Sequence, residues 1–284
     1  MSKGLIDTLK RFKNVYLHIH GIGDLIISMP YIRQVMAQNP LFALCVRDTV
    51  YNSGFFSNFL FKDRVFPGCP PLWNSTQTHC SFKAIDMLCR ELKKEGINCF
   101  YLRFNKYENR RMQVCRGLSR NLAEEIPFQG DIHGEVYLDK NILDWAKAKT
   151  EENICFFHTR SASSLKSVVP SVLLRYFTAK NFSLFYPPFS GDINYNFAVQ
   201  LISKKIVVVD SVYMHSAAAL GRDIDILFVA ASVKKFFHTL APSNIKIHRI
   251  IYGNLWEALR AFVYYEIFRK EKYLVARQQE RTKR

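Results

Sequence analysis

VYLHIHGIGDLIISMP, residues 15–30, is the stretch whose reading decides the fold. Val15 to His20 has the apolar density of a buried strand, and the run from about Leu25 to Gln38 has helical character. Between them Gly21 and Gly23 allow the backbone to turn tightly and to approach a bound group closely. A strand, a glycine loop and a helix in that order form the opening of a βαβ unit. In open α/β sheets ligands bind beyond the carboxyl ends of the strands, which is where this loop falls.

Two chemistries compete for the loop. Asp24, in the loop or first helical turn, is suited to accept a proton from a substrate hydroxyl. It is equally suited to cap the helix that follows. His18 and His20 also form a His-x-His pair, the strand-end metal motif of amidohydrolases, with His158 and His215 near later strand ends or helix starts. The chain is short for such a barrel, and Gly-x-Gly-Asp is foreign to that motif. We therefore expect no metal.

Outward from this loop, strand-like and helix-like runs alternate. Phe42 to Val46 is a short strand; Phe82 to Glu95 is a helix closed by Gly96, followed by a strand from Ile97 to Leu102. The alternation weakens between Asp131 and Lys149 and then restarts. Strands are expected at 153–158, 183–186, 206–209 and 224–229, with helices after Pro170, at 194–203 and at 213–220, the last closed by Gly221. Two α/β domains follow, residues 1–148 and 149–284, each with a mainly parallel sheet. From Asn254 the chain is helical in character, with an apolar stripe through Leu255, Leu259, Phe262, Val263 and Ile267 before a basic tail.

The second domain carries two further segments of chemical interest. Phe157-His158-Thr159-Arg160, followed by Lys166 to Pro170, runs a strand into a hydroxyl-rich, basic loop ahead of a helix. Thr159, Arg160 and Lys166 there have the makings of a phosphate cradle. In Val207 to Gly221 a buried strand delivers Asp210 and Ser211 to the start of a helix lined with alanines, with Met214 and His215 in its first turns. Small residues let that helix pack close to the sheet, and its free N–H groups suit an anion. The plainer readings are a solvated loop and an ordinary helix cap.

Composition narrows the partners. The formal charge is +16, from 40 Lys and Arg against 24 Asp and Glu. So basic a chain should associate with something polyanionic. No helix-turn-helix, zinc or RNP-like motif is present, and nucleic acid is not expected. Seven scattered cysteines with no Cys-x-x-Cys pair point to a reducing compartment. No apolar run reaches the roughly 18 residues of a membrane span, and the N-terminal stretch lacks the pattern of a signal peptide. The aromatic run Phe55, Phe56, Phe59, Phe61, Phe66 reads as core or a packed loop rather than a lipid-touching surface.

The three segments, in this order, resemble glycosyltransferase family 9, the ADP-heptose:lipopolysaccharide heptosyltransferases. Gly21-Ile22-Gly23-Asp24 through Pro30 is similar to the family's Gly-Asp loop and proline-bearing helix. Lys166-Ser167-Val168-Val169-Pro170 is similar to its Lys-x-Trp-Pro element, without the tryptophan and one residue longer. Asp210 to Ala218 matches its Asp-Ser/Thr-Gly-x-x-His-x-Ala-Ala element, with Val212 in place of the glycine. The resemblance implies a GT-B fold, two Rossmann-like domains with parallel sheets facing across a cleft, with the acceptor in the first and the donor in the second. It implies inverting, metal-independent transfer of heptose or a similar sugar, with Asp24 as base in a loop shared with His20, Gly21 and Gly23. Thr159, Arg160, Lys166, Asp210, Ser211, Met214 and His215 would hold the donor, an ADP-sugar being favoured, without a further cofactor. The acceptor would be lipopolysaccharide core or a related anionic glycan. Arg110, Arg111, Arg116 and Arg120 crowd one stretch that reads either as an acceptor patch or as a plain solvated face. The protein would sit in the cytoplasm, peripheral at the inner membrane. Val212, a short stretch between Pro170 and Asp210, and Val229-Ala230-Ala231-Ser232 in place of a Gly-Pro-Thr loop depart from the family. A sugar-nucleotide- or glycan-binding relative without turnover is the alternative.

Overall fold

A computed structural model describes residues 3–70, 82–104, 108–129, 132–149, 153–159, 182–188, 191–209, 211–229 and 245–250. Arg160, Lys166, Asp210, the helix expected after Pro170, the 230–232 loop and the C-terminal helix and tail lie outside these residues. The chain divides into two compact units, Met1–Tyr137 and Leu138–Arg284.

In the first unit the described elements are α1 (Lys3–Leu9), β1 (Asn14–His18), α2 (Ile22–Gln38), β2 (Phe42–Val46), α3 (Asp48–Tyr51), a 3-10 turn at Lys62–Arg64, β3 (Val65–Phe66), α4 (Lys83–Lys94), β4 (Asn98–Tyr101) and α5 (Arg110–Leu122). The sheet is parallel in the order β3-β2-β1-β4. Register pairs Val15 with Ala43 and Cys99, and Leu17 with Cys45 and Tyr101. One face therefore collects Val15, Leu17, Cys45 and Cys99, covered by Leu9 of α1 and Ile85, Leu88 and Leu92 of α4. Tyr16 and His18 lie on the other face, where Tyr16 stacks on Phe100 at 5.6 Å. Burial on both faces is what a parallel sheet requires, and each fully buried Val or Leu contributes about 1.5–3 kcal/mol. Phe55, Phe56 and Phe59 are buried as core residues; Phe55 and Phe59 meet Tyr137, and Phe56 packs on both of them.

α2 contains Pro30, which has no N–H to give to the carbonyl of Ile26 one turn earlier. That carbonyl is taken instead by the backbone N–H of Glu135, at 3.0 Å. Glu135 is held by Arg33, whose Nε and Nη2 donate to its carboxylate at 2.8–3.0 Å, and by Tyr137 Oη at 2.8 Å. The irregular segment 132–137 is thus tied across α2 by the defect the proline creates. Its close approach depends on Gly134, where a Cβ would lie 2.7 Å from Ile26 O and 2.8 Å from Ile26 Cγ2.

The second unit contains α6 (Lys140–Lys149), β5 (Ile154–His158), β6 (Ser183–Phe185), α7 (Ile193–Ile202), β7 (Lys205–Val209), α8 (Val212–Ala219), β8 (Ile224–Val229) and β9 (Ile245–Ile250). Its sheet is parallel in the order β6-β5-β7-β8-β9. The units divide before α6, earlier than the expected division after residue 148, because α6 joins α7: Trp145 meets Tyr195 edge-on at 4.6 Å. Gly221 closes α8 with φ of 66°, as its position in the sequence predicts. Among the described residues no helix is long and apolar enough to cross a membrane.

Gly134→Ala is expected to lower stability by about 1–3 kcal/mol, the cost of overpacking a closed contact. Urea unfolding followed by circular dichroism measures it. An unchanged midpoint would mean that the 132–137 segment is not held against α2 as described.

Candidate active site

Each sheet reverses its strand order once around its first strand, and there the flanking crossovers run to opposite faces, opening a crevice at the carboxyl ends. In the first unit this point lies between β1 and β4. In the second it lies between β5 and β7. The three sequence segments map onto these two points as far as they are described.

At the β1/β4 point, α2 begins at Ile22 rather than near Leu25, so Asp24 is in its first turn. The N-cap is Gly21, and no side chain caps the helix. Asp24 is therefore not the N-cap; its carboxylate, partly exposed, is paired with the Arg110 guanidinium from the start of α5. Ser28 Oγ donates to the Asp24 carbonyl at 2.7 Å, fixing its backbone. The Arg110 guanidinium lies 5.0 Å from the centre of the Phe104 ring, and that ring stacks on His20 at 4.3 Å. His20 Nε2 lies 3.0 Å from the Leu102 carbonyl, which can only accept, so the proton is on Nε2. His20, Phe104 and Arg110 thus form one stack that spans the ends of β1 and β4 and presents a guanidinium to Asp24.

His18 lies beneath, fully buried. Its Nε2 faces the Gly21 carbonyl at 3.3 Å and its Nδ1 faces Tyr16 Oη at 3.4 Å. The Gly21 carbonyl only accepts, so Nε2 carries the proton and Tyr16 donates to Nδ1. Burial pushes the Tyr16 phenol up, keeping it a donor. Burial, with the nearby His20, pulls His18 down to about 3. Burial likewise lowers His20, against the opposing pull of Asp24. Both imidazoles are neutral near pH 7, and both give their Nε2–H to backbone carbonyls. Among the described residues no group of three or more His, Cys, Asp or Glu side chains is placed to hold a metal.

Sequence reasoning missed Arg47, the residue after β2. Its Nη2 lies 3.9 Å from where a Cβ on Gly21 would be, alongside the start of α2. Its Nε is buried and has no hydrogen-bond partner. Burial lowers its proton affinity, partly offset by Cys69 and Asp24. A strand-end arginine four residues beyond an alanine carries no motif; only the sheet register brings it to the loop. The four arginines expected to act together separate. Arg110 joins Asp24. Arg111 is 3% exposed, with Nη1 donating to the Ile132 carbonyl at 2.8 Å, and is an interior residue. Arg116 and Arg120 are exposed further along α5, Arg116 paired with Glu108 at 3.2 Å.

At the β5/β7 point, Thr159 is buried at the end of β5 and Ser211 is the N-cap of α8. Ser211 does not cap with its side chain; its Oγ pairs with His158 Nδ1 at 3.2 Å. The hydroxyl is thereby drawn away from the helix N–H groups it would ordinarily satisfy. The Tyr213 ring lies edge-on to His158 at 4.6 Å, its hydroxyl accepting from Asn196 Nδ2 at 2.9 Å and its carbonyl from Gln200 Nε2 at 2.7 Å. Met214 is buried, His215 half-buried, and Ala217 and Ala218 pack α8 onto the sheet. The result is a rigid helix start with its backbone donors at the strand ends.

No protein-family model and no curated protein sequence matches the chain. Its fold is similar to solved glycosyltransferase structures. A glycosyl transferase family 9 protein from Veillonella parvula DSM 2008 is 11% identical over 93% of this chain and 90% of its own, with a TM-score of 0.57. ADP-heptose lps heptosyltransferase II of E. coli is 13% identical over 95% of this chain and 100% of its own, also at 0.57. The E. coli heptosyltransferase WaaC, solved with ADP, is 13% identical over 91% of this chain and 99% of its own, at 0.54. What this chain shares with them is the fold, two Rossmann-like units with parallel sheets.

His18 makes stability depend on pH. Its folded proton affinity is lower than in the unfolded chain, so the unfolded state binds more protons between about pH 6.5 and 3. The stability it leaves intact is fully present above about pH 6.5 and falls as pH drops toward 3. His18→Asn should flatten the stability–pH slope in that window by about 1.4 kcal/mol per pH unit. Urea unfolding at stepped pH reads it, and an identical slope in the variant would show that His18 titrates normally.

Proposed function

We propose that the chain is an inverting, metal-independent glycosyltransferase, moving heptose or a similar sugar from a nucleotide-diphosphate donor to an anionic glycan such as lipopolysaccharide core. The observation that carries this is Asp24: a carboxylate in the first turn of α2, at the strand-order reversal, beside Arg110 and near Arg47. The likeness of the fold to glycosyltransferases, one of them solved with ADP, supports the same reading.

In the reaction the acceptor hydroxyl oxygen attacks the anomeric carbon as Asp24 takes its proton. The bond from that carbon to the diphosphate breaks on the opposite face, which inverts the centre. Charge on the leaving diphosphate is met by the N–H groups that open α8 and, by family resemblance, by Arg160 and Lys166, with Thr159, Asp210, Ser211, Met214 and His215 lining the donor site. The acceptor's negative charge is met by Arg47 and Arg110, with exposed Arg116 and Arg120 further out. A +16 chain at an anionic surface would gain about 1 kcal/mol per basic residue near it, which fits a peripheral place at the cytoplasmic face of the inner membrane.

Asp24→Asn should lower kcat by about 10²–10⁴-fold while nucleotide binding stays within about twofold. Normal turnover by this variant would remove Asp24 from the mechanism. Arg47→Gln should raise the acceptor KM roughly tenfold, the loss of one charge-assisted hydrogen bond, and leave donor affinity alone. An effect confined to the donor would move Arg47 out of the acceptor site. A second reading rests on Val212, half-exposed where the family has glycine at the start of α8: nucleotide-sugar binding without turnover. Calorimetry with ADP- and UDP-sugars beside a product assay separates the two, since binding with no product on any acceptor favours the second.

A further inference from the structure

Four of the cysteines lie in one apolar cluster on the face of the first sheet opposite His18: Cys45, Cys69, Cys89 and Cys99. Their spacing in the sequence suggests no pairing. The fold brings two of them together. Cys89 sits in the middle of α4 and Cys99 near the start of β4, and their Sγ atoms are 3.3 Å apart. All four are free thiols.

We propose that Cys89 and Cys99 are a covalent modification site, a thiol pair that a small hydroperoxide oxidises to a disulfide joining α4 to β4. The separation of 3.3 Å needs to close to about 2.05 Å, a movement within the reach of side-chain rotation and slight helix adjustment. Cys89 is 8% exposed against 2% for Cys99, so it is the one an oxidant meets first. It is also the better nucleophile. The Cys99 S–H donates to Cys89 Sγ and Lys93 lies one turn further along α4; both favour the Cys89 thiolate over the opposing effect of burial. The remaining described thiols are driven the other way by burial: Cys69 and Cys155 are each pushed up to about 12, and Cys45 and Cys115 also rise.

The chemistry has two steps. Cys89 thiolate attacks one peroxide oxygen, the O–O bond breaks, and Cys89 becomes a sulfenic acid with loss of alkoxide or hydroxide. Cys99, already pointed at the same sulfur, then attacks it; the S–S bond forms and the sulfenic oxygen leaves as water with the thiol proton. Two electrons pass from the pair to the peroxide, and a dithiol reductant returns them.

The test uses the full chain, reduced, freed of reductant, treated with hydrogen peroxide, and mapped without reduction after alkylation. Trypsin cleavage after Lys83, Arg90, Lys94 and Arg103 separates Cys89 (residues 84–90) from Cys99 (residues 95–103), so the crosslink joins two peptides. The expected result is that crosslink, two hydrogens lighter than its parts, reversible by dithiothreitol and accompanied by a higher unfolding midpoint. In Cys99→Ser, dimedone should instead trap Cys89 as the sulfenic acid. Recovery of both Cys89 and Cys99 as alkylated thiols from natively folded, peroxide-treated protein overturns the proposal, as does a crosslink of either to another cysteine. Because wild-type protein carries the primary readout, poor folding of the variant leaves the outcome decisive.

Discussion

A parallel sheet forbids hairpins between neighbouring strands, and everything at the two sites descends from that constraint. Each strand must be followed by a crossover, and each crossover must cover a face. When the strand order reverses around the first strand, the crossovers part and leave a crevice at the carboxyl ends. β1 and β4 bound one such crevice, β5 and β7 the other. Asp24, His20 and Arg110 lie at the first, Thr159 and Ser211 at the second. The Asp24 carboxylate, beside Arg110 and near Arg47, occupies one, and a helix start with its serine hydroxyl turned aside occupies the other.

Several supports look like defects when taken singly. Pro30 breaks the hydrogen bonding of α2, yet the freed Ile26 carbonyl anchors Glu135 and the segment that closes the first unit. Ser211 occupies a cap position without capping, because His158 holds its hydroxyl. His18 is a buried base kept neutral, spending both ring nitrogens on Gly21 and Tyr16 to hold the loop that precedes Asp24. The first two divert a polar group from its helical partner to a distant one, and the third pins the loop before Asp24 onto the strand that leads into it.

The strands and the two glycine- and serine-led loops were legible in the sequence because their signal is local: apolar runs of the right length, closed by glycine or followed by small residues. β3 and β9 were not anticipated. The two residues of β3 are too few for a period to register, and β9 carries Lys246, His248 and Arg249 between its isoleucines, which reads as polar chain. That Asp24, His20 and Ser211 lie at strand ends and helix starts was readable from the sequence. Arg47 was not, since its place depends on the register of β2 against β1, which sequence does not state. Arg111 was read as surface because arginine usually is; its neighbour Asn109 caps α5 and fixes the rotation that turns Arg111 inward. Cys89 and Cys99 are separated by a helix end and a turn, and only the packing of α4 on β4 unites them.

The central claim is a division of labour, with acceptor chemistry at β1/β4 and donor binding at β5/β7. The most direct measurement is a crystal structure soaked with ADP. The account predicts diphosphate density at the Thr159 and Ser211 ends of the second sheet, with Asp24 and Arg110 undisturbed. Diphosphate bound instead against Gly21, Arg47 and Arg110 would contradict it.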